Sequence, residues 1–221
     1  MKKMSKDYLK YINYDFKQVD DVFRVSTDTA ILGMFLDDLH GKTVLDIGTG
    51  SGALLLYAHY HNAGKLIGID IQKKALELAR ENIANYTDNF ELINSRIQDL
   101  NIEPVDVVIC NPPFFEVGNM RKSDTWNKAM FEETLSLEEI FNAFRKFMKD
   151  NGEAYILYPA ERFPELYETI VSHKMKIMRM QYVHDTKRPY AQRVVMKLKI
   201  GKMTKVKVSK PIIVDKGNFE H

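Results

Sequence analysis

The sequence predicts an α/β fold built on a doubly wound, mainly parallel sheet. Short β-branched runs alternate with amphipathic helical stripes from Thr43 onward. Three chemically unusual stretches fall where predicted strands end: residues 46–52, Asp70 and residues 111–115. Open sheets of this kind bind ligands at the carboxyl ends of strands, where the strand order reverses. A chain of 221 residues, 45% hydrophobic and 28% charged, can fill one well-packed domain of that type.

The elements follow in order. "TVLDI" (residues 43–47) is a buried strand closed by glycine, and residues 52–61 form the helix after it. "KLIGID" (65–70) is the next strand. Residues 71–86 form a helix with Ala75, Leu78, Ala79 and Ile83 on one stripe. "FELIN" (90–94) and "DVVIC" (106–110) are further strands. Residues 136–152 open on a capping box, Ser136 with Glu139, and close on Gly152, which predicts a helix over the whole stretch. A strand (153–159) and a helix (163–174) come next, then an antiparallel pair over 176–184 and 193–200. "KVKVS" and "PIIVD" add short strands. The expected division is a basic extension over residues 1–24, the main domain over 25–200, and a basic tail over 201–221.

Composition narrows the function. One cysteine excludes a disulfide framework and a cysteine-based zinc site, and fits a reducing cytosol. The six histidines have no metal-ligand spacing, so no metal is expected. The basic N-terminus lacks the apolar core of a signal peptide, and no apolar run approaches membrane-spanning length. A cytoplasmic protein is the expectation, with no required protein partner. Residues 25–173 carry 13 basic and 23 acidic side chains, whereas residues 174–210 carry 12 basic and one acidic. An acidic body with a basic C-terminal third suits a polyanionic partner, although a solvated charged face accounts for the same count.

"DIGTGSGA" (46–53) places glycines at 48, 50 and 52, where a tight turn lets backbone approach a ligand at a helix N-terminus. Asp70 follows 18 residues after Gly52, placed to accept both hydroxyls of a ribose. Gly48, Gly50 and Ala53 satisfy the G-x-G-x-x-A fingerprint of a dinucleotide site. S-adenosylmethionine fits as well, because Asp46 can influence a pocket for its ammonium group.

"LDIGTGSG" resembles motif I of the class I S-adenosylmethionine-dependent methyltransferases, and Asp70 resembles their ribose-binding acid, with Ile71 beside it. That resemblance implies a Rossmann-like sheet of seven strands, mainly parallel, with an antiparallel C-terminal strand. "NPPF" (111–114) resembles the catalytic tetrapeptide of amino-methyltransferases acting on adenine N6, guanine N2 of ribosomal RNA, or glutamine N5 of release factors. The chemistry suits those residues. An exocyclic amine is a poor nucleophile, and two acceptors aimed at its hydrogens orient it and stabilise developing positive charge. The Asn111 side-chain oxygen and the Pro112 carbonyl would be those acceptors, Pro112 and Pro113 would restrict the backbone, and Phe114 would stack a flipped base.

Together with "FRVSTDTAILGMFL" (23–36) and "RPYAQRVVMKL" (188–198), these motifs resemble the YfiC-like family of bacterial tRNA adenine-N6 methyltransferases. The resemblance spans residues 23–200 and implies tRNA as partner through its anticodon stem-loop, with the adenine just 3′ of the anticodon as target. It implies that Asp46, Gly48, Gly50, Asp70, Ile71 and Asn111 line the cofactor, with Thr27 and Asp28 near its methionine end. Lys187, Arg188, Arg193, Lys197 and Lys199 would then meet RNA phosphates. The family's acid beside the cofactor's adenine is replaced here by Arg96, with Asp99 slightly downstream. Residues 116–135 form a long loop expected to order on RNA. Release-factor enzymes carry a helical domain before motif I, where only about 45 residues stand here, and the guanine-N2 enzymes often carry a duplicated N-terminal domain. A nucleic-acid-binding module on an inactive fold is a further alternative, against which the intact Asp46, Asp70 and Asn111 speak.

Overall fold

A computed structural model describes residues 4–19, 22, 24–112 and 135–219. Twelve strands and five helices follow in chain order: β1 (Met4–Leu9), β2 (Tyr14–Val19), α1 (Thr27–Met34), β3 (Thr43–Ile47), α2 (Ala53–Tyr60), β4 (Lys65–Asp70), α3 (Lys73–Ile83), β5 (Phe90–Asn94), β6 (Val105–Cys110), α4 (Leu137–Phe147), β7 (Met148–Pro159), α5 (Phe163–Ser172), β8 (Met175–Asp185), β9 (Ala191–Ile200), β10 (Lys207–Val208), β11 (Ile212–Asp215) and β12 (Asn218–Phe219). The main sheet runs β5-β4-β3-β6-β7-β9-β8-β11-β12, with β10 also on β8. The first seven in that order are the expected core. β9 is the antiparallel member, pairing with both β7 and β8. The C-terminal strands widen the sheet to ten.

Strand alternation sorts the core into two layers. Val44, Val107 and Ile109 face α1, α2 and the inner side of α3. Leu45, Ile47, Val108 and Cys110 face α4 and α5. The chain leaves β3 toward β4 and returns to β6 on the other side of β3, so the order reverses between β3 and β6. A crevice must open above that point.

α2 is buried from Ala53 to Ala58, so its outer side needs cover as well. α1 and the β1–β2 hairpin provide it. Leu9, Ile12 and Phe16 enter the same core as Leu55 and Tyr57, and the Tyr57 hydroxyl donates to the Lys10 carbonyl at 2.8 Å. Gly33 lets α1 approach, because a Cβ there would lie 2.2 Å from the Tyr57 ring. Asn82 ties hairpin, loop and α3 together: its oxygen accepts from Lys17 N, and its amide donates to the carbonyls of Lys17 and Ser51. The C-terminal Ile212, Val214 and Phe219 join this core too.

The helix predicted over residues 136–152 ends earlier. Its capping box is present, with Ser136 and Glu139 bonded reciprocally. Yet Met148 is extended, buried and paired with Val105, so β7 begins there. Gly152 is not a helix cap. A Cβ there would meet Met148 Cγ at 2.5 Å and Asp106 O at 3.0 Å, so glycine permits a close passage of β7 past β6. α1 is a helix beyond those expected from the sequence pattern, with Ser26 as its N-cap accepting from Thr29 N. No helix of the described residues is long and apolar enough to cross a membrane.

Candidate active site

A cleft of about 590 Å³ opens over the carboxyl ends of β3, β4, β5 and β6. The glycine loop forms its floor. Gly48, Gly50 and Gly52 take φ of 73°, 53° and 85°, the left-handed region that disfavours side chains. At Gly52 packing adds to this, since a Cβ would lie 3.0 Å from Ile83 of α3. The loop is fixed by Gly48 N and Thr49 N, which both donate to Ile69 O.

Asp70 closes β4 and lines the cleft. Its Oδ2 accepts from Gly50 N and its Oδ1 from Gln72 N, each at 2.8 Å. Burial raises its pKa, and backbone donors from Gln72, Gly50 and Ile71 oppose the rise. These backbone bonds still leave the carboxylate acceptor capacity on the cleft side for a ligand hydroxyl. Asn94, at the end of β5, pins the turn by donating to the carbonyls of Asp70 and Ile71. Its contribution went unread in the sequence, where it is only a strand's last letter. Ile71 follows on the cleft wall, 41% exposed.

Asp46 is the most unusual group. It is 1% exposed, and neither carboxylate oxygen makes a hydrogen bond of good geometry, the neighbouring Thr49 hydroxyl being the one donor among the described residues close enough to favour its charge. Burial pushes its pKa up to about 7, the Thr49 hydroxyl opposing and the Asp70 charge adding. A buried carboxylate so poorly bonded beside a cleft calls for a ligand that brings donors or positive charge. The ammonium of S-adenosylmethionine does so, and the paired acceptors of Asp70 suit its ribose. The residues present therefore fit that cofactor better than a dinucleotide, whose pyrophosphate Asp46 would repel.

Asn111 and Pro112 follow β6 and both line the cleft, Asn111 partly exposed and Pro112 buried. Its Nδ2 donates to the Thr29 hydroxyl of α1 at 3.3 Å. The planar amide then turns Oδ1 away from α1, leaving it as an acceptor. α1 thus supplies a positioning residue that the sequence reading missed. The predicted roles of Pro113 and Phe114, and nearly all of the loop over 116–135, lie outside the described residues.

Other predicted residues separate. Thr27 does not line the cleft: its hydroxyl donates to Gly217 O, and it is Thr29, two residues on, that reaches the site. Asp28 lines the cleft and pairs with Arg193 at 3.0 Å. Arg193 is therefore a cleft residue as well. Lys187 and Arg188 are exposed on the β8–β9 turn. Lys197 and Lys199 lie toward the opposite end of the sheet. Lys197 is bound to Glu153 at 2.7 Å and to Asp37 at 2.6 Å, and Lys199 to Glu153 at 3.2 Å. At about 3.3 Å per residue, Lys199 sits ~20 Å along β9 from Arg193. These pairs hold Glu153 at a pKa of about 2 despite its burial, with Lys197 and Lys42 as the causes that lower it. On the wall near α4, Arg96 and Gln98 line the cleft and Asp99 does not. Gln98 donates to Glu139 at 2.6 Å. Among the described residues, no cluster of three or more His, Cys, Asp or Glu could hold a metal.

A family model described as a methyltransferase domain matches residues 38–208, more than three quarters of the chain. The chain belongs to the methyltransferase-domain family. A curated methyltransferase from Dyadobacter fermentans, named tRNA1(Val) (adenine(37)-N6)-methyltransferase, is 30% identical over 165 residues, covering 72% of this chain and 69% of its own. A protein of the same name from Shewanella baltica (strain OS185) is 29% identical over 177 residues, covering 75% and 74%. Among solved methyltransferases, the T. thermophilus 16S rRNA N2 G1207 enzyme, in complex with AdoMet and guanosine, has a TM-score of 0.64 at 16% identity, covering 90% of this chain and 51% of that one. The ribosomal protein L11 methylase of Lactobacillus delbrueckii subsp. bulgaricus has a TM-score of 0.59 at 19% identity, covering 81% of each chain. The last two likenesses concern the fold.

Proposed function

We propose that this methyltransferase transfers a methyl group from S-adenosylmethionine to the exocyclic N6 of an adenine in tRNA, at position 37 beside the anticodon. The observation that carries the reading is the convergence, on one cleft, of the poorly bonded Asp46, the ribose-type acid Asp70 and the oriented amide of Asn111. Similarity to the tRNA adenine-N6 enzymes of Dyadobacter and Shewanella points to the nitrogen and the RNA.

When bound, S-adenosylmethionine supplies an electrophilic methyl on a positively charged sulfur. The chain does the rest by position. Asp70 would hold the ribose through its remaining lone pairs, and Asp46 the ammonium. Asn111 Oδ1 and the Pro112 carbonyl would accept the two hydrogens of the adenine amine. Positive charge would develop on the amine nitrogen as it takes the methyl group from sulfur, and these two acceptors would stabilise it there. A proton then leaves to solvent. Phe114 would stack the flipped base. Lys187, Arg188 and Arg193 stand on the cleft side of the sheet, where the RNA must approach, which favours them over Lys197 and Lys199 as its docking residues. A cytoplasmic enzyme that works without a metal or a protein partner is the simplest form of this reading.

The test is nucleoside analysis of tRNA from cells with and without the gene. Loss of N6-methyladenosine from tRNA, restored by the wild-type gene and not by Asn111→Ala, supports the assignment. Unchanged N6-methyladenosine overturns it.

A further inference from the structure

The β8–β9 hairpin runs past the end of its neighbour. β7 stops at Pro159, opposite Arg193, while β8 and β9 continue through the pairs Val183↔Arg193 and His184↔Ala191. Its turn therefore stands above the carboxyl edge of the sheet, on the same side as the cleft that Arg193 lines. Tyr190 sits in this turn, three residues before Arg193 and so ~10 Å further along the strand direction. It is 79% exposed, more than any other large hydrophobic among the described residues, and makes no ring contact among them. Lys187 and Arg188 are exposed in the same turn.

The turn is not loose chain. Arg188 N donates to Asp185 O at 3.0 Å, Lys187 N to Asp185 Oδ1 at 2.8 Å, and Asp185 N to Gln192 Oε1 at 2.8 Å. Thr186 N donates to Val214 O of β11, and the Gln192 amide to Tyr190 O. An aromatic ring is thus held in water by a well-bonded turn, just after two exposed cations in the chain, on the cleft side of the sheet. A single exposed aromatic is ordinary by itself; its fixed place on the cleft side of the sheet, next to two exposed cations, is what suits it to a polyanion with flat, unstacked groups.

We propose that Tyr190 is a stacking platform for an unpaired base of the RNA that flanks the target, with Lys187 and Arg188 holding the adjoining phosphates. This rests on the RNA-substrate reading above and extends it to a second, non-reacting nucleotide.

The experiment measures the affinity of the full chain for two labelled RNAs across a salt series: an anticodon stem-loop and a short mixed-sequence single strand. Tyr190→Ala is expected to weaken binding five-fold or more at every salt concentration, because stacking releases no counterion. Tyr190→Phe and Tyr190→Trp should stay within about two-fold of wild type. The Lys187→Ala/Arg188→Ala double variant should instead flatten the salt slope, by roughly 1.4 units on the single strand if both phosphate contacts are lost. Melting temperature and S-adenosylmethionine affinity should not move in any of them. Tyr190→Ala binding as tightly as wild type, or flattening the slope as the double variant does, overturns the proposal, as does a wild-type chain that binds neither RNA. A wild type that binds RNA through Tyr190 yet methylates no tRNA adenine would sink the proposed substrate and leave the platform standing.

Discussion

Asp46→Asn should stabilise the free protein while costing it the cofactor, and the stabilisation should depend on pH in a defined direction. The Asp46 carboxyl is 1% exposed, without a hydrogen bond of good geometry, and its pKa is pushed from 3.8 to about 7. Between those two values the folded chain keeps a proton that the unfolded chain has lost. Stability therefore falls as pH rises through the window from about 4 to about 7, and is flat above it. Asparagine escapes this loss, although its own amide is left unpartnered at a cost of ~1–3 kcal/mol. The pH-dependent part is independent of that cost. From pH 5 to pH 8 wild type crosses about two pKa units, at 1.36 kcal/mol each, so the variant's advantage should grow by ~3 kcal/mol. For a chain of this size that is a relative gain of ~5–10 °C in melting temperature. Thermal melting of both proteins at pH 5 and pH 8, without cofactor, reads it directly. Calorimetry on the same samples should give the variant at least ~10-fold weaker S-adenosylmethionine binding, the loss of one charge-assisted contact. An equal melting difference at the two pH values would refute the buried, ionising Asp46.

Three further outcomes follow from the geometry. Thr29→Val removes the acceptor that turns the Asn111 amide, so kcat should fall ~10-fold with cofactor affinity unchanged, and Thr29→Ser should recover most of it; equal losses in both variants would remove Thr29 from the mechanism. Asp70→Ala should weaken cofactor binding measured by calorimetry, because it removes the ribose acceptor and the anchor of Gly50 N; an unaltered dissociation constant would refute the ribose role. Arg188→Glu should weaken RNA binding and flatten its salt slope, whereas Lys199→Gln, whose side chain is paired with Glu153 at the far end of the sheet, should leave the slope as it is; the reverse pattern would place the RNA on the wrong end of the molecule.

Much of this was legible in the sequence because local pattern and tertiary role agree. "TVLDI", "KLIGID" and "FELIN" are strands with the predicted bounds, since β-branched runs closed by glycine, aspartate or asparagine have few alternatives between two helical layers. Asp46, Asp70 and Asn111 were legible by another logic: polar groups at the ends of apolar strands, where burial makes no structural sense. What escaped notice depends on contacts distant in sequence. Met148 leaves the helical pattern because Val105 offers it a sheet partner. Gly152 reads as a helix cap, yet it serves a close approach to Asp106. Thr29 matters only because α1 folds back across β6, 82 residues away in sequence. Lys197 and Lys199 belong to a basic stretch, but strand direction carries them away from the cleft and Glu153 and Asp37 neutralise them. Charge counted along a chain cannot reveal which end of a strand it occupies.

The most direct measurement is methyl transfer from radiolabelled S-adenosylmethionine to total unmodified tRNA and, in parallel, to ribosomal RNA, followed by nucleoside analysis. Label in tRNA as N6-methyladenosine, reduced at least ~100-fold by Asn111→Ala, is the result expected from an amide oxygen that acts in the transition state. Label confined to ribosomal RNA as N2-methylguanosine, or turnover untouched by Asn111→Ala, would contradict it.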